Sequence, residues 1–439
     1  MIKIIILLSL LLFTCAVYAV DIANPVSIAL GDAYIAKARG CHALNWNPAN
    51  LGIVKNSMTF NLFQVTADVS NNALDLGYYN DIVGKYLTPE EEQEFLDRIP
   101  DDGFSLKASA DLHLPLSLSI GKFGFAINAL VRSSVNLGKD YFDIVLNGNE
   151  IGETFNFENN EGSAISFSEF KLGYGDKIPV DKIFGSFADF PSIYGGISIG
   201  YINGLAYGEI MDFTTEFSTN DSVMDVHNNL LIRTAGYDTE NDEIIAKSVF
   251  PGAGSGFRVS LGLTSPITDK ITASLAINNL FASINWTEAC EEHQITVNDD
   301  DFALYDWIEN WEEIKDSIVV DTTYTVGDFS TSIPAEIHMG GSYSLNQFTF
   351  YGDYVQGFGK SLLTSAKPKF SFGAEYLPLK WLPLRAGFGF GGDEKPHFSF
   401  GSGFEFTSFE FSWGVSYYTS PIYTTATGLK VSFGALLAF

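Results

Sequence analysis

The chain has 439 residues and a formal net charge of −28, with 53 acidic against 25 basic side chains. That balance excludes nucleic acid as a partner, since such binding needs basic stripes. Phenylalanine (37) and glycine (41) are abundant and aromatics reach 14%, which suits many short strands joined by tight turns.

At the N-terminus, Met1-Ile2-Lys3 supplies one positive charge, Ile4 to Phe13 a short apolar core, and Val17-Tyr18-Ala19 a small-residue cleavage site. Residues 1–19 read as a secretory signal, too short and wrongly flanked for a spanning helix. A lipoprotein signal at Cys15 is disfavoured by Thr14, where a small Gly or Ala is wanted. After cleavage no run of 18 or more apolar residues remains, so no helix is predicted to cross a bilayer. Cys41 and Cys290 are left in an oxidising compartment. No spacing rule pairs them, and two unpaired thiols are expected.

Residues 20–56 differ from the rest. The run from Asn24 to Gly52 is rich in Ala and Gly, has no clean period, and contains the turn former Asn47-Pro48. Small residues let backbone pack tightly in a confined space such as a lumen. From about Ser57 onward the sequence alternates. Phe123, Phe125, Ile127, Ala129 and Val131 oppose Gly124, Ala126, Asn128, Leu130 and Arg132; Phe257, Val259, Leu261 and Leu263 oppose Arg258, Ser260, Gly262 and Thr264. Ile271 to Asn278 and Phe370 to Tyr376 repeat the pattern, with short turns at Gly121-Lys122, Thr268 to Lys270 and Leu345 to Gln347. Period two means strand, and short links between successive strands mean an up-and-down meander. Fourteen to sixteen candidate strands of roughly 9–12 residues can be counted, the length a tilted strand needs to cross a bilayer. Fourteen is the expectation, as such barrels usually have an even number.

Two helices interrupt the pattern. Thr88 as N-cap, Pro89 at the first position and Glu91 completing a capping box open one, with Phe95, Leu96 and Ile99 on one face. The second is expected over about Asp301 to Ser317. Both read as decoration of long loops, and acids concentrate in such loops: Glu90 to Glu94, Glu150 to Glu161, Asp238 to Glu243 and Glu288 to Asp316.

The last forty residues carry the plainest signal. Phe398, Phe400, Phe404 and Phe406 oppose Ser399, Gly401, Gly403 and Glu405; then Phe409, Phe411, Trp413, Val415 and Tyr417 oppose Glu410, Ser412, Gly414 and Ser416. One face is large and aromatic, the other small and weakly polar. That is the pattern of a transmembrane antiparallel β-barrel, apolar toward lipid and polar toward the lumen. The expected organisation is therefore a signal at 1–19, a plug segment at 20–56 and an outer-membrane barrel at 57–439.

The Gly-Asp-Ala-Tyr stretch beginning at Gly31, the Ala-rich residues after it and Trp46-Asn47-Pro48-Ala49 before strand one resemble the N-terminal hatch of the FadL-type outer-membrane transporters. They are equally similar to the PorV-like relatives of Bacteroidetes-type secretion, and Leu382 to Gly387 resembles a turn-and-strand of the same relatives. The resemblance implies a 14-stranded barrel plugged by the N-terminal segment, moving hydrophobic or amphipathic, fatty-acid-like molecules by passive diffusion. Asn47, Pro48 and Ala49 are then the hatch positions, with Gly31 and Trp46 beside them. The terminal Phe439 resembles the signal by which the barrel-assembly machinery takes up a last strand. The alternatives are a PorV-like scaffold with secretion-system partners and a structural, porin-like barrel.

No enzymatic chemistry is expected. The six histidines are scattered, Cys290 and His293 lack further ligands at zinc spacing, and Asn298 to Asp301 lacks the glycine and terminal Glu of a calcium loop. Neither a nucleophile elbow nor a phosphate loop occurs, so no cofactor or metal is expected. The charges that share a strand face with Gly and Ser are Arg132, Arg258, Glu375 and Glu405. They should point into the lumen, since a lipid-facing charge costs about 2–4 kcal/mol near the midplane. They read either as a salt-bridge network holding the plug, or, for Arg132 and Arg258, as partners for a ligand carboxylate.

Overall fold

A computed structural model describes residues 23–114, 117–148, 151–157, 160–179, 191–219, 224–238, 243–244, 252–302 and 319–439. The expected signal at 1–19 lies outside these residues, as does the helix expected at Asp301–Ser317 apart from its first two positions, which are strand.

Fourteen antiparallel strands form a closed ring. They are β1 (Met58–Asn71), β2 (Phe104–His113 resumed as Leu118–Ile120), β3 (Phe123–Leu137), β4 (Glu161–Lys177) and β5 (Tyr194–Thr219). Next come β6 (Met224–Ala235 and Gly254–Pro266), β7 (Ile271–Trp286 and Glu291–Phe302) and β8 (Val319–Thr325, Phe329–Ser332 and Glu336–Leu345). The wall is completed by β9 (Phe348–Gly357), β10 (Lys369–Leu379), β11 (Leu382–Gly391), β12 (Glu394–Glu405), β13 (Phe409–Tyr418) and β14 (Gly428–Ala438). β14 pairs with β1 from Thr59↔Ala438 to Ser70↔Gly428, and the Phe439 N–H donates to the Met58 carbonyl at 2.9 Å. Closure leaves no edge strand, so every backbone group on the wall can be paired internally.

The face rule holds along the wall. Phe257, Leu261 and Leu263 are exposed outside while Arg258, Ser260 and Thr264 are buried inside. The outer face carries stacked cross-strand aromatics such as Phe348–Tyr376 at 4.5 Å and Phe370–Phe390 at 5.4 Å. A continuous apolar belt of this kind is stable only against lipid. Among the described residues no helix is long and apolar enough to cross a membrane.

On β7, two register shifts against β6 flank Val259↔Leu280, and Asn279 and Phe281 adopt φ of 59° and 57°. Each shift inserts one residue, so two of them restore the in–out phase. They also turn the Asn279 side chain toward Arg258, whose Nη1 donates to Asn279 Oδ1 at 3.0 Å.

The ends differ. Links such as Gly121-Lys122 and Lys380-Trp381 are two residues long, whereas the opposite end bears long excursions. These hold α3 (Leu76–Ile82), α4 (Pro89–Arg98) and α5 (Lys139–Leu146), which follow α1 (Pro25–Ala29) and α2 (Ala43–Trp46) of the N-terminal segment. α4 begins with the expected capping box: the Glu91 N–H donates to Thr88 Oγ1, and the Thr88 N–H donates to Glu91 Oε2 at 2.8 Å. Leu96 and Ile99 are buried, and Phe95 meets Phe142 of α5.

Candidate functional site

Residues 23–56 fold inside the ring. Asn24 caps α1 in a box with Ser27, and the helix ends on Leu30 before Gly31, which stands at φ +66°. Any side chain at Gly31 would be strained by that backbone and would strike Phe388 of β11. Asp353 of β9 then receives the next turn, its Oδ2 accepting from the Tyr34 and Ile35 N–H groups at 2.7 and 2.8 Å. Trp46 packs edge-on to Tyr34 at 5.2 Å and tilted over His338 at 5.5 Å. Asn47 ties the last turn to the wall. Its Oδ1 caps Pro48–Gly52 through the Ala49 N–H, while its Nδ2 donates to the Leu263 and Leu275 carbonyls and to Thr264 Oγ1. Asn50 extends the same contact, accepting from Thr264 Oγ1 at 2.7 Å and donating to the Ile35 carbonyl.

The wall is shaped to receive this backbone. Gly175, Gly196 and Gly262 lie in register across β4, β5 and β6, and a Cβ on any of them would enter Pro48–Gly52 or the Asn47 side chain. On the opposite wall Gly373 pairs with Gly387 and Gly401 with Gly414, and these four seat Pro25–Gly31. The segment is therefore held between two glycine-lined seats. Asn47→Ala is expected to loosen one of them by about 2–3 kcal/mol, the sum of a helix cap and a buried hydrogen bond. Limited proteolysis within residues 23–56 should then accelerate by ten-fold or more (about 1.4 kcal/mol per decade).

Charge accompanies the seats. Glu169 of β4 is fully buried and grips Arg258 with both oxygens, Nε–Oε1 at 2.5 Å and Nη2–Oε2 at 2.6 Å. Lys171 lies 3.4 Å from Glu169, and Asn128 Nδ2 donates to Glu169 at 3.1 Å. Across the lumen Arg385 of β11 donates to Glu375 at 2.7 Å and also to Glu405, while Lys37 of the segment meets Glu375 at 2.8 Å. Asp32, also in the segment, lies 2.9 Å from Lys369. Burial by itself would raise the Asp32 carboxyl, but Lys369 and Lys430 outweigh it and bring it down to about 2.

Of the expected lumenal charges, Glu375 and Glu405 thus meet through Arg385, and Arg258 joins a different cluster. Arg132 lies on β3 opposite Ser109, its Nη1 donating to the Val131 carbonyl at 3.1 Å. Glu169, Lys171 and Arg385 were not singled out from sequence, though the signal was there. Glu169 and Lys171 alternate with Phe170 and Leu172, and Arg385 with Leu384 and Ala386. Cys41 and Cys290 are both free and buried.

One residue layer beyond Arg258, away from the short-turn end, the lumen becomes apolar. Leu130, Phe167, Ile202, Ile284 and Trp286 point inward and form one buried cluster. Phe329 of β8 and Leu362 and Leu363 of the β9–β10 loop pack against it. Its main polar atom, Trp286 Nε1, donates to Thr331 Oγ1 at 3.1 Å. The small, weakly polar inner face read from the last forty residues does not extend to this layer, where Leu130, Phe167 and Trp286 replace it.

A closed 14-stranded barrel holding a folded N-terminal segment defines the class. The chain belongs to the family described as "Family of unknown function (DUF5723)", which matches residues 48–415. No curated protein shows significant similarity to it. Among solved structures it is similar to the toluene transporter TbuX of Ralstonia pickettii, at 13% identity and a TM-score of 0.51 over 95% of this chain and 98% of that one. The Pseudomonas putida toluene transporter TodX is similar at 12% identity and a TM-score of 0.47, over 94% and 96%. A FadL homologue of Pseudomonas aeruginosa follows at 12% and 0.44, over 96% and 98%.

Proposed function

We propose that the protein is an outer-membrane channel for passive uptake of hydrophobic small molecules, with residues 20–56 as its hatch. The observation that carries this reading is the inward apolar cluster around Trp286 and Phe167. A porin lumen is polar because its cargo is water-borne; apolar side chains facing the interior make a binding site for an apolar guest. A solute entering among the long loops would displace Leu362 and Leu363, lodge against Trp286, Phe167 and Ile202, and pass on when the hatch leaves its glycine seats. The fold shared with a toluene transporter agrees with this. Arg258 already directs three N–H donors at Glu169 and Asn279, which favours a neutral solute over a fatty-acid carboxylate. Asn47, Pro48, Ala49, Gly31 and Trp46 are the hatch residues in this reading. Phe439, hydrogen-bonded to Met58 at the seam, is the assembly signal for an exported chain in contact with outer-membrane lipid.

Proteoliposome uptake of a neutral aromatic probe tests this. The wild type should exceed protein-free vesicles, and Phe167→Asn should slow entry several-fold, because an apolar guest would bury an unpaired amide at a cost of about 1–3 kcal/mol. Uptake no faster than in protein-free vesicles would overturn the proposal.

A further inference from the structure

Among the described residues, two groups of side chains bring three metal-ligating atoms within 4.8 Å of one another: Cys41, His42 and His113, and Asp32, Glu394 and His397. The second already has its counter-ions. The Lys369 ammonium lies 2.9 Å from Asp32 and 2.7 Å from Glu394, and Lys430 stands 3.7 Å from Asp32. The first group is different in chemistry and in what surrounds it. We infer that Cys41, His42 and His113 bind one thiophilic transition-metal ion of the Zn(II) class, fastening the N-terminal segment to strand β2.

The donor set decides the class of ion. A thiolate with two imidazoles suits Zn(II) and its softer neighbours and is wrong for Mg(II) or Ca(II), which take oxygen. Bonds of about 2.0–2.3 Å put the donors of a tetrahedral site roughly 3.3–3.8 Å apart, so side-chain rotation of about 1 Å closes the group. His42 is only partly buried and has room for it, its ring centroid lying 5.6 Å from that of His113.

His113 supplies the independent observation. It is fully buried, and its Nδ1 lies 2.7 Å from Asn128 Oδ1. The amide nitrogen of Asn128 donates to Glu169 and Asn45, which fixes Asn128 Oδ1 as an acceptor. His113 Nδ1 must therefore carry the proton, and Nε2 presents a lone pair. That Nε2 is buried and has no hydrogen-bond partner. A buried acceptor left unpaired is costly, and an imidazole whose far nitrogen is oriented by a carbonyl is how metal-binding histidines are commonly held.

Cys41 is equally fixed. Its N–H donates to Thr59 Oγ1 of β1 at 3.0 Å, and Gly40 before it takes φ +58° close against the Thr59 side chain. On binding, the Cys41 thiol gives its proton to solvent, both imidazoles coordinate as neutral ligands, and a water completes the fourth position. The ion would bridge the turn Gly40–His42 to the point where β2 breaks off at His113. The binding itself is independent of the transport reading. Its consequence, a pin that delays release of the segment, rests on that reading.

The test uses the full-length protein in detergent, stripped with a chelator and titrated with Co(II), then Zn(II). One Co(II) per chain should bind with a near-ultraviolet thiolate charge-transfer band that Zn(II) abolishes. Cys41→Ser should remove the band and His113→Gln should weaken binding 100-fold or more. Cys290→Ser and His397→Gln should leave both unchanged, with far-ultraviolet circular dichroism showing that each variant is folded. A wild type that binds neither ion stoichiometrically, or a band that survives Cys41→Ser, would overturn the site. Zn(II) binding that leaves proteolysis of residues 23–56 unchanged would overturn the pin alone.

Discussion

Gly196→Val is expected to raise the ion conductance of the reconstituted barrel by tenfold or more. The residue is an ordinary position of β5, paired with Gly175 on one side and Gly262 on the other. Valine suits a strand, so the wall should tolerate it. The obstacle lies in the lumen, where a Cβ would enter the Pro48–Ala49 backbone. Overpacking typically costs about 1–3 kcal/mol when side chains can yield; here a capped turn must move, so the upper end applies. Three kilocalories shift the balance between seated and displaced states by about 150-fold. Gly208→Val is the internal control, being on the same strand with nothing within 4 Å of its Cβ. Single-channel recording in planar bilayers should show larger and more frequent openings for Gly196→Val and none of this for Gly208→Val. Equal conductance in wild type and Gly196→Val would mean that Pro48–Gly52 does not block the lumen.

This seat also marks where local sequence stops being informative. The parity of Gly196 follows from its neighbours, since Ile197 and Ile199 claim the outer face. That it aligns with Gly175 and Gly262 depends on strand register, which the turns and bulges set. The same holds for the segment itself. Its small residues and Asn47-Pro48 were legible as a packed turn, yet the partners Asp353, Thr264 and Gly387 are more than 200 positions away. No period links them.

The apolar layer of the lumen escapes local sequence for a different reason. Alternation gives the correct inward set on β4 and β7, but a rule equating the inner face with small and polar residues fails at Phe167 and Trp286. The available signal was a stretch apolar on both faces, as in Leu130-Val131, which indicates burial on both sides. The outer face, by contrast, was legible almost residue by residue, because lipid makes one uniform demand along the whole wall.

Arg258→Leu is expected to destabilise the barrel by about 3 kcal/mol, because it takes the two-point partner from a buried carboxylate. Glu169 has no solvent exposure, and without Arg258 it keeps Lys171 at 3.4 Å and Asn128 at 3.1 Å. Glu169→Leu alone should also destabilise, because it takes the carboxylate from both the Arg258 guanidinium and the Lys171 ammonium. The double variant should recover part of the loss, since an apolar pair avoids the desolvation of both ions while Lys171 still loses the Glu169 carboxylate. Equilibrium unfolding in urea-containing detergent gives the three differences, and a double-mutant cycle isolates the coupling. A coupling below about 0.5 kcal/mol would show that water reaches the pair. In that case the layer beneath the apolar cluster would be wet, and the apolar solute would meet water there before it reached the hatch.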